Sequence, residues 1–187
     1  IKKAFFRKSM RIRADTIPSE KKKTQVLCAF CFEDENAPIG LGKFNKKIDQ
    51  IVSQSVKEIK GKKNKIAIIH SHKDIPAERV LIAGIGKKNK ITSDVIRDVT
   101  GNITKKIHDL GIKEFTIIVP NKSSIKTSQT ISAIVEGANL SLYDFDLFRK
   151  EKSNKNQPDL SLLTSEKNAQ SIIKNSIIVS DAVKFTR

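Results

Sequence analysis

Cys28 and Cys31 stand in a C-x-x-C spacing, the arrangement of a redox pair or of half a zinc site. No second pair of cysteines completes a tetrahedral ligand set. Their context, VLCAFCF, consists of strand-forming residues, and side chains three positions apart on a strand point to opposite faces, so the two sulfurs could not share a metal. The expectation is two reduced thiols in the core, because free cysteine is among the most buried residue types. His70-Ser71-His72 places two imidazoles on one face at the end of a strand, but without a carboxylate at fixed spacing they define no metal site and are expected at the surface. Gly84-x-Gly86 opens the run GIGKKNK, which lacks both GxxxxGK[ST] and GxGxxG, so its glycines read as residues of a tight turn rather than a phosphate cradle. Three scattered histidines and unpaired acidic residues assemble no Ser/His/Asp set. No catalytic, cofactor-binding or metal-ligating residue is therefore assigned in this chain.

The element that positions these groups is the stretch 78–89, ERVLIAGIGKKN. Val80, Leu81, Ile82, Ala83 and Ile85 show no polar alternation, the pattern of a strand covered on both faces. After the glycine turn, Thr92 or Ser93 is a suitable N-cap for an amphipathic helix running to Leu110, with Gly111 as its stop. EFTIIV at 114–119 is the next buried strand. Strand, helix and strand in that order form a right-handed crossover unit, so 78–85 and 114–119 should run parallel in one sheet.

Upstream, 1–9 is a basic leader whose Phe5 and Phe6 pair with an edge or dangle, 10–14 (MRIRA) alternates as a short strand, and 25–32 is a second buried strand. Phe44, Ile48, Ile51, Val52, Val56 and Ile59 form a helical stripe. The segment 65–71 should form a hairpin with the central strand. Downstream, a helix over 128–145 carries Gly137 and Ala138, small residues that would allow a close approach to the sheet. The polar stretch 149–158 is a connector, and 160–163 is a weak edge-strand candidate. Ser165 or Thr164 should cap a last helix, apolar on more than one face and in need of a cover. Lys184-Phe185-Thr186-Arg187 carries no stop signal, the ending expected of a chain cut within a longer protein. No internal repeat is evident, and low complexity is confined to the lysine clusters.

A length of 187 residues suits one core with an appendage. Hydrophobic and charged fractions of 38% and 30% are those of a globular protein in water, and no apolar run reaches the roughly 20 residues of a membrane span. Without a signal-peptide core, the expected location is the cytoplasm. A formal charge of +16 invites a nucleic-acid partner, but with 29 lysines to 7 arginines, no Trp and one Tyr, base-reading and stacking residues are scarce. A solvated lysine surface is the plainer expectation.

Three stretches carry a family resemblance: RVLIAGIGKKN with its downstream helix, AIVEGANLSLYDFDLFRK at 133–150, and NAQSIIKNSIIVSDAVKFTR at the end. Together they resemble the N-terminal domain of the cytosolic leucyl aminopeptidases, the M17 metallopeptidase family. Glu136, Gly137, Tyr143, Phe145 and Asp146 match the family pattern, while Phe148 stands where Tyr is common. The resemblance implies a macro-domain-like α/β fold, a mixed sheet between helix layers (α/β/α). It divides the chain into a leader (1–9), the N-terminal domain (10–150), a connector (151–164) and the start of a linker helix (165–187) leading to a catalytic domain. That domain would hold two divalent metals (zinc, manganese or magnesium) and release N-terminal residues from peptides, within a hexamer. Its motifs, of the GKGITFDSGG and NTDAEGR types, are absent from these residues, so no ligand or catalytic residue transfers. The competing readings are an ADP-ribose-type nucleotide module and a non-specific nucleic-acid-binding module.

Overall fold

Val80, Leu81, Ile82 and Ala83 are fully buried, and the strand they belong to sits inside a six-stranded sheet. In a computed structural model, which describes residues 10–71, 75–121, 124–142 and 157–185, the strands are β1 (Ile12–Asp15), β2 (Thr24–Cys31), β3 (Ile66–His70), β4 (Ala77–Gly84), β5 (Glu114–Ile118) and β6 (Asp159–Leu163). The helices are α1 (Lys46–Ile59), α2 (Ser93–Asp109), α3 (Thr127–Ser141) and α4 (Ala169–Phe185). Strand order is β1-β6-β5-β2-β4-β3. All neighbours pair parallel except β3, which returns antiparallel on β4 with Ile66 opposite Ala83 and His70 opposite Arg79. The expected hairpin and the shared parallel sheet are both present, with β2 standing between β4 and β5.

Because side chains alternate across a strand, β2 and β4 feed two separate cores. Val26, Cys28, Phe30, Leu81 and Ala83 pack with α2, α3 and Ile173 of α4 on one face. Leu27, Ala29, Cys31, Val80 and Ile82 pack with Ile48, Val52, Val56 and Ile59 of α1 on the other. The result is three layers, with one helix on one face and three on the other. Full burial is worth about 1.5–3 kcal/mol per aliphatic side chain, against a few tenths from intrinsic propensity, so α1 is held by its apolar stripe. Its ends are set locally. The Asn45 side chain accepts a hydrogen bond from the Ile48 amide at 2.9 Å, and Lys60 closes the helix in the left-handed region at φ 52°. The Thr92 hydroxyl caps α2 by accepting from the Val95 amide, and Gly111 follows that helix at φ 69°, both as expected.

Three expectations are corrected. The segment 159–163 is no edge strand: β6 lies between β1 and β5 and its Leu160 to Leu163 are buried, while the short β1 takes the edge. A five-residue strand after a polar connector gives no sequence sign that it has partners on both sides. The last helix starts at Ala169 instead of following a cap at Thr164 or Ser165, because the Thr164 hydroxyl closes a tight turn by accepting from the Glu166 amide at 3.2 Å. Gly137 does approach a neighbour closely, but the neighbour is α2: a β-carbon there would lie 2.3 Å from the Arg97 carbonyl oxygen. Phe5 and Phe6, the end of the expected 128–145 helix and most of the 149–158 connector lie outside the described residues.

The β1 edge is fastened by a partly buried ion pair. Lys22 Nζ lies 2.6 Å from Asp15 Oδ2, with the side chains 8% and 21% exposed. The hydrogen bond from Lys22 holds the Asp15 carboxyl below the usual carboxylate range. A lowered folded value means that this stability is present above the unfolded carboxylate value of about 4 and is lost as pH falls through the folded value. Asp15→Asn should therefore lower Tm at neutral pH, and the deficit should vanish on acidification, because the wild-type carboxyl is then protonated too. Thermal melts from neutral to acid pH check this, and a deficit independent of pH would contradict it.

Candidate functional site

The chemically capable residues are not brought together. Cys28 and Cys31 occupy opposite faces of β2, one in each core, as the strand period requires. Burial pushes the Cys28 thiol well up and that of Cys31 to about 11, so both are neutral and inert. His70 ends β3 at the exposed sheet edge, and Ser71 is buried with its hydroxyl donating to the Glu78 carbonyl at 3.0 Å. His72 lies outside the described residues. Among the described residues no group of three or more His, Cys, Asp or Glu side chains could hold a metal.

GIGKKNK forms the turn expected of it. Gly86 has φ 78°, and the Lys88 amide points at the Asp34 carboxylate at 3.4 Å. Lys88 Nζ pairs with Glu35 at 2.8 Å and stands 5.7 Å from the centre of the Phe32 ring.

Glu136 and Gly137, the best-described residues of the quoted motif, both act on Arg97. The Glu136 carboxylate accepts from Arg97 Nε at 2.8 Å, while Gly137 lies against the Arg97 backbone carbonyl. They join α3 to α2. Tyr143, Phe145, Asp146 and Phe148 lie outside the described residues.

A crevice of about 620 Å³ lies beyond the carboxyl ends of β1, β5 and β6. It adjoins the point where the connections leaving β2 and β5 go to opposite sides of the sheet, the position at which open α/β sheets bind ligands. Sequence reading missed it because its walls come from loops far apart in the chain: Ile17, Gly40, Val119, Thr164 and Lys167. Two of its five hydroxyls already accept hydrogen bonds from the backbone. Ser19 accepts from the Gly42 amide at 2.8 Å, and Thr164 closes the turn described above.

Comparison with known proteins assigns the architecture. The model described as "Cytosol aminopeptidase family, N-terminal domain" matches residues 19–152. A probable cytosol aminopeptidase of Cenarchaeum symbiosum is 34% identical over 178 residues, covering 95% of this chain and 35% of that protein. The chain thus spans about a third of the length of the curated relatives it matches. Among solved structures, a tomato leucine aminopeptidase mutant superposes with TM-score 0.76 at 14% identity, over 96% of this chain and 37% of that one. An Oceanobacillus iheyensis macrodomain superposes with TM-score 0.60 at 9% identity, over 92% of both chains. At such identities these two establish the fold, and they bear out the macro-domain-like α/β/α expectation.

Proposed function

The chain belongs to the cytosol aminopeptidase family as its N-terminal domain, and from that premise we propose that it is the non-catalytic part of a metal-dependent leucyl aminopeptidase. The observation that carries the reading is the family match over 19–152 combined with relatives about three times as long. Peptide hydrolysis then belongs to a further, C-terminal domain, where two divalent metals (zinc, manganese or magnesium) supply an activated water. The described residues of this chain do not fit such a centre, since no metal-binding group forms among them. Its own contribution is assembly, to the catalytic domain and within a hexamer in the cytosol, together with shaping access for peptides.

Helix α4 supports that role. One face is fixed to the domain: Ile173 is buried, and Asn139 of α3 donates to Ser180 at 2.7 Å and accepts from Lys184 Nζ at 2.6 Å. The other face leaves Ile178 and Val179 60% and 55% exposed. Large aliphatic neighbours in solvent, on a helix otherwise held rigid, suit a surface that another domain or subunit covers. On this reading 10–150 is the domain, 151–164 the connector and 165–187 the linker helix.

The full-length gene product should release leucine from leucine 4-nitroanilide and lose that activity on chelation, whereas the 187-residue chain should have none. Ile178→Lys with Val179→Lys should shift the full-length protein to smaller assemblies. In the 187-residue chain the same change should cost no more than about 0.5 kcal/mol, as surface substitutions do. A reading frame that stops at Arg187, or activity indifferent to chelators, would overturn the proposal.

A further inference from the structure

Gly-Lys-Lys-Asn-Lys occurs twice, at 61–65 and 86–90, a short internal repeat where none was expected. The fold brings the two copies into contact at the carboxyl end of β4. The Gly86 amide donates to the Gly61 carbonyl at 2.9 Å and the Asn64 amide to the Gly84 carbonyl at 3.1 Å. Within each copy the last lysine's amide donates to the first lysine's carbonyl, Lys65 to Lys62 and Lys90 to Lys87, both at 3.0 Å. Left-handed backbone at Lys60, Gly61, Asn64 and Gly86 shapes the pair of turns. All six lysines of the copies are exposed. Lys63 pairs with Asp98 and Lys88 with Glu35, each at 2.8 Å. Lys62, Lys65, Lys87 and Lys90 have no ion-pair partner among the described residues.

We propose that these twinned turns are a sequence-independent contact for the phosphate backbone of nucleic acid. Ammonium groups on long stems, carried by a hydrogen-bonded backbone, present point charges without arginine's bidentate fork. The nearby Phe32 ring is buried, so it offers no surface on which a base could stack. An extended phosphate polymer is the partner that rewards such spread positive charge, because each neutralised phosphate releases condensed counterions. The nearby acidic turn, Glu33 to Glu35, neutralises Lys88 and leaves the other lysines of its copy unpaired. This inference is independent of the aminopeptidase reading.

The test is fluorescence anisotropy of the full-length protein with a short labelled DNA duplex, and with a matched RNA duplex, at salt from about 50 to 200 mM. Binding to either duplex, weakened at least tenfold in the Lys62→Glu, Lys65→Glu, Lys87→Glu, Lys90→Glu variant, is the expected result. The slope of log affinity against log salt should fall by about one per lysine lost. A charge-matched variant at the exposed Lys105, Lys106, Lys113 and Lys174 should weaken binding far less. No binding at the lowest salt, equal loss in both variants, or equal competition by polyglutamate would each overturn the proposal. Melting curves establish that both variants are folded.

Discussion

Gly137→Ala should cost roughly 3 kcal/mol or more, the upper end of what one added methyl does in a packed interior. The new β-carbon would meet the Arg97 carbonyl oxygen at 2.3 Å and its carbon at 3.0 Å, where ordinary contacts begin at 3.4 Å. Neither partner is the flexible end of a side chain; both are helix backbone, so α2 and α3 must separate or slide. That movement disturbs Gly101, which already lies 3.5 Å from the Gly137 carbonyl oxygen by the same measure, and the Arg97–Glu136 pair. Opposing terms are smaller. Alanine gains about 1 kcal/mol in helix propensity, a figure that already reflects the unfolded chain's loss of freedom. Against a total stability of about 5–15 kcal/mol the net loss is large. Urea unfolding measures it, and a midpoint equal to wild type would show that the helices yield at little cost.

The second large effect is expected at Gly84→Ala, about 2–3 kcal/mol. Here the β-carbon would lie 2.2 Å from the Lys62 carbonyl oxygen and 2.6 Å from two Gly61 backbone atoms. The obstacle is a surface turn, which can move where paired helices cannot, so the cost stays below that at Gly137. Moving it breaks the bonds from the Gly86 amide to Gly61, from the Asn64 amide to Gly84 and from the Gly84 amide to Lys65. Hydrogen exchange should show the Asn64 and Gly86 amides losing protection by much more than the α2 amides, which decline only with global stability. Uniform loss across both sets would mean that the turn and the core unfold as one unit.

Gly84 and Gly137 also illustrate how far the chain could be read in advance. Residue type marks Gly84 for a turn without naming its neighbour and Gly137 for close packing against the sheet, where the neighbour is α2 instead. A glycine announces that something comes near and does not say what. The same holds for Glu136, whose partner Arg97 lies 39 positions away on another helix. The crevice at the carboxyl ends of β1, β5 and β6 left no trace in any spacing, because its residues belong to separate loops. The doubled GKKNK was plain in the letters, yet only contact between the two turns makes it one surface.

What residue order settled unaided is local. Periods of 2 and 3.6, the cap at Thr92 and the left-handed glycine after α2 follow from sterics and hydrogen bonds within a few residues. They yield the strands, the helices, the two inert cysteines and the α/β class. The family pattern, carried by short quoted stretches, came from the same source. Strand neighbours were another matter: β1 joins β6 through residues 148 positions apart, as in the hydrogen bond from Arg13 to Ser161. Whether such strands pair depends on apolar burial gained across the whole sheet against the entropy of closing so long a loop. That balance exists only once the other layers are in place, and so do the buried position of β6, the α2–α3 contact and the shared lysine corner.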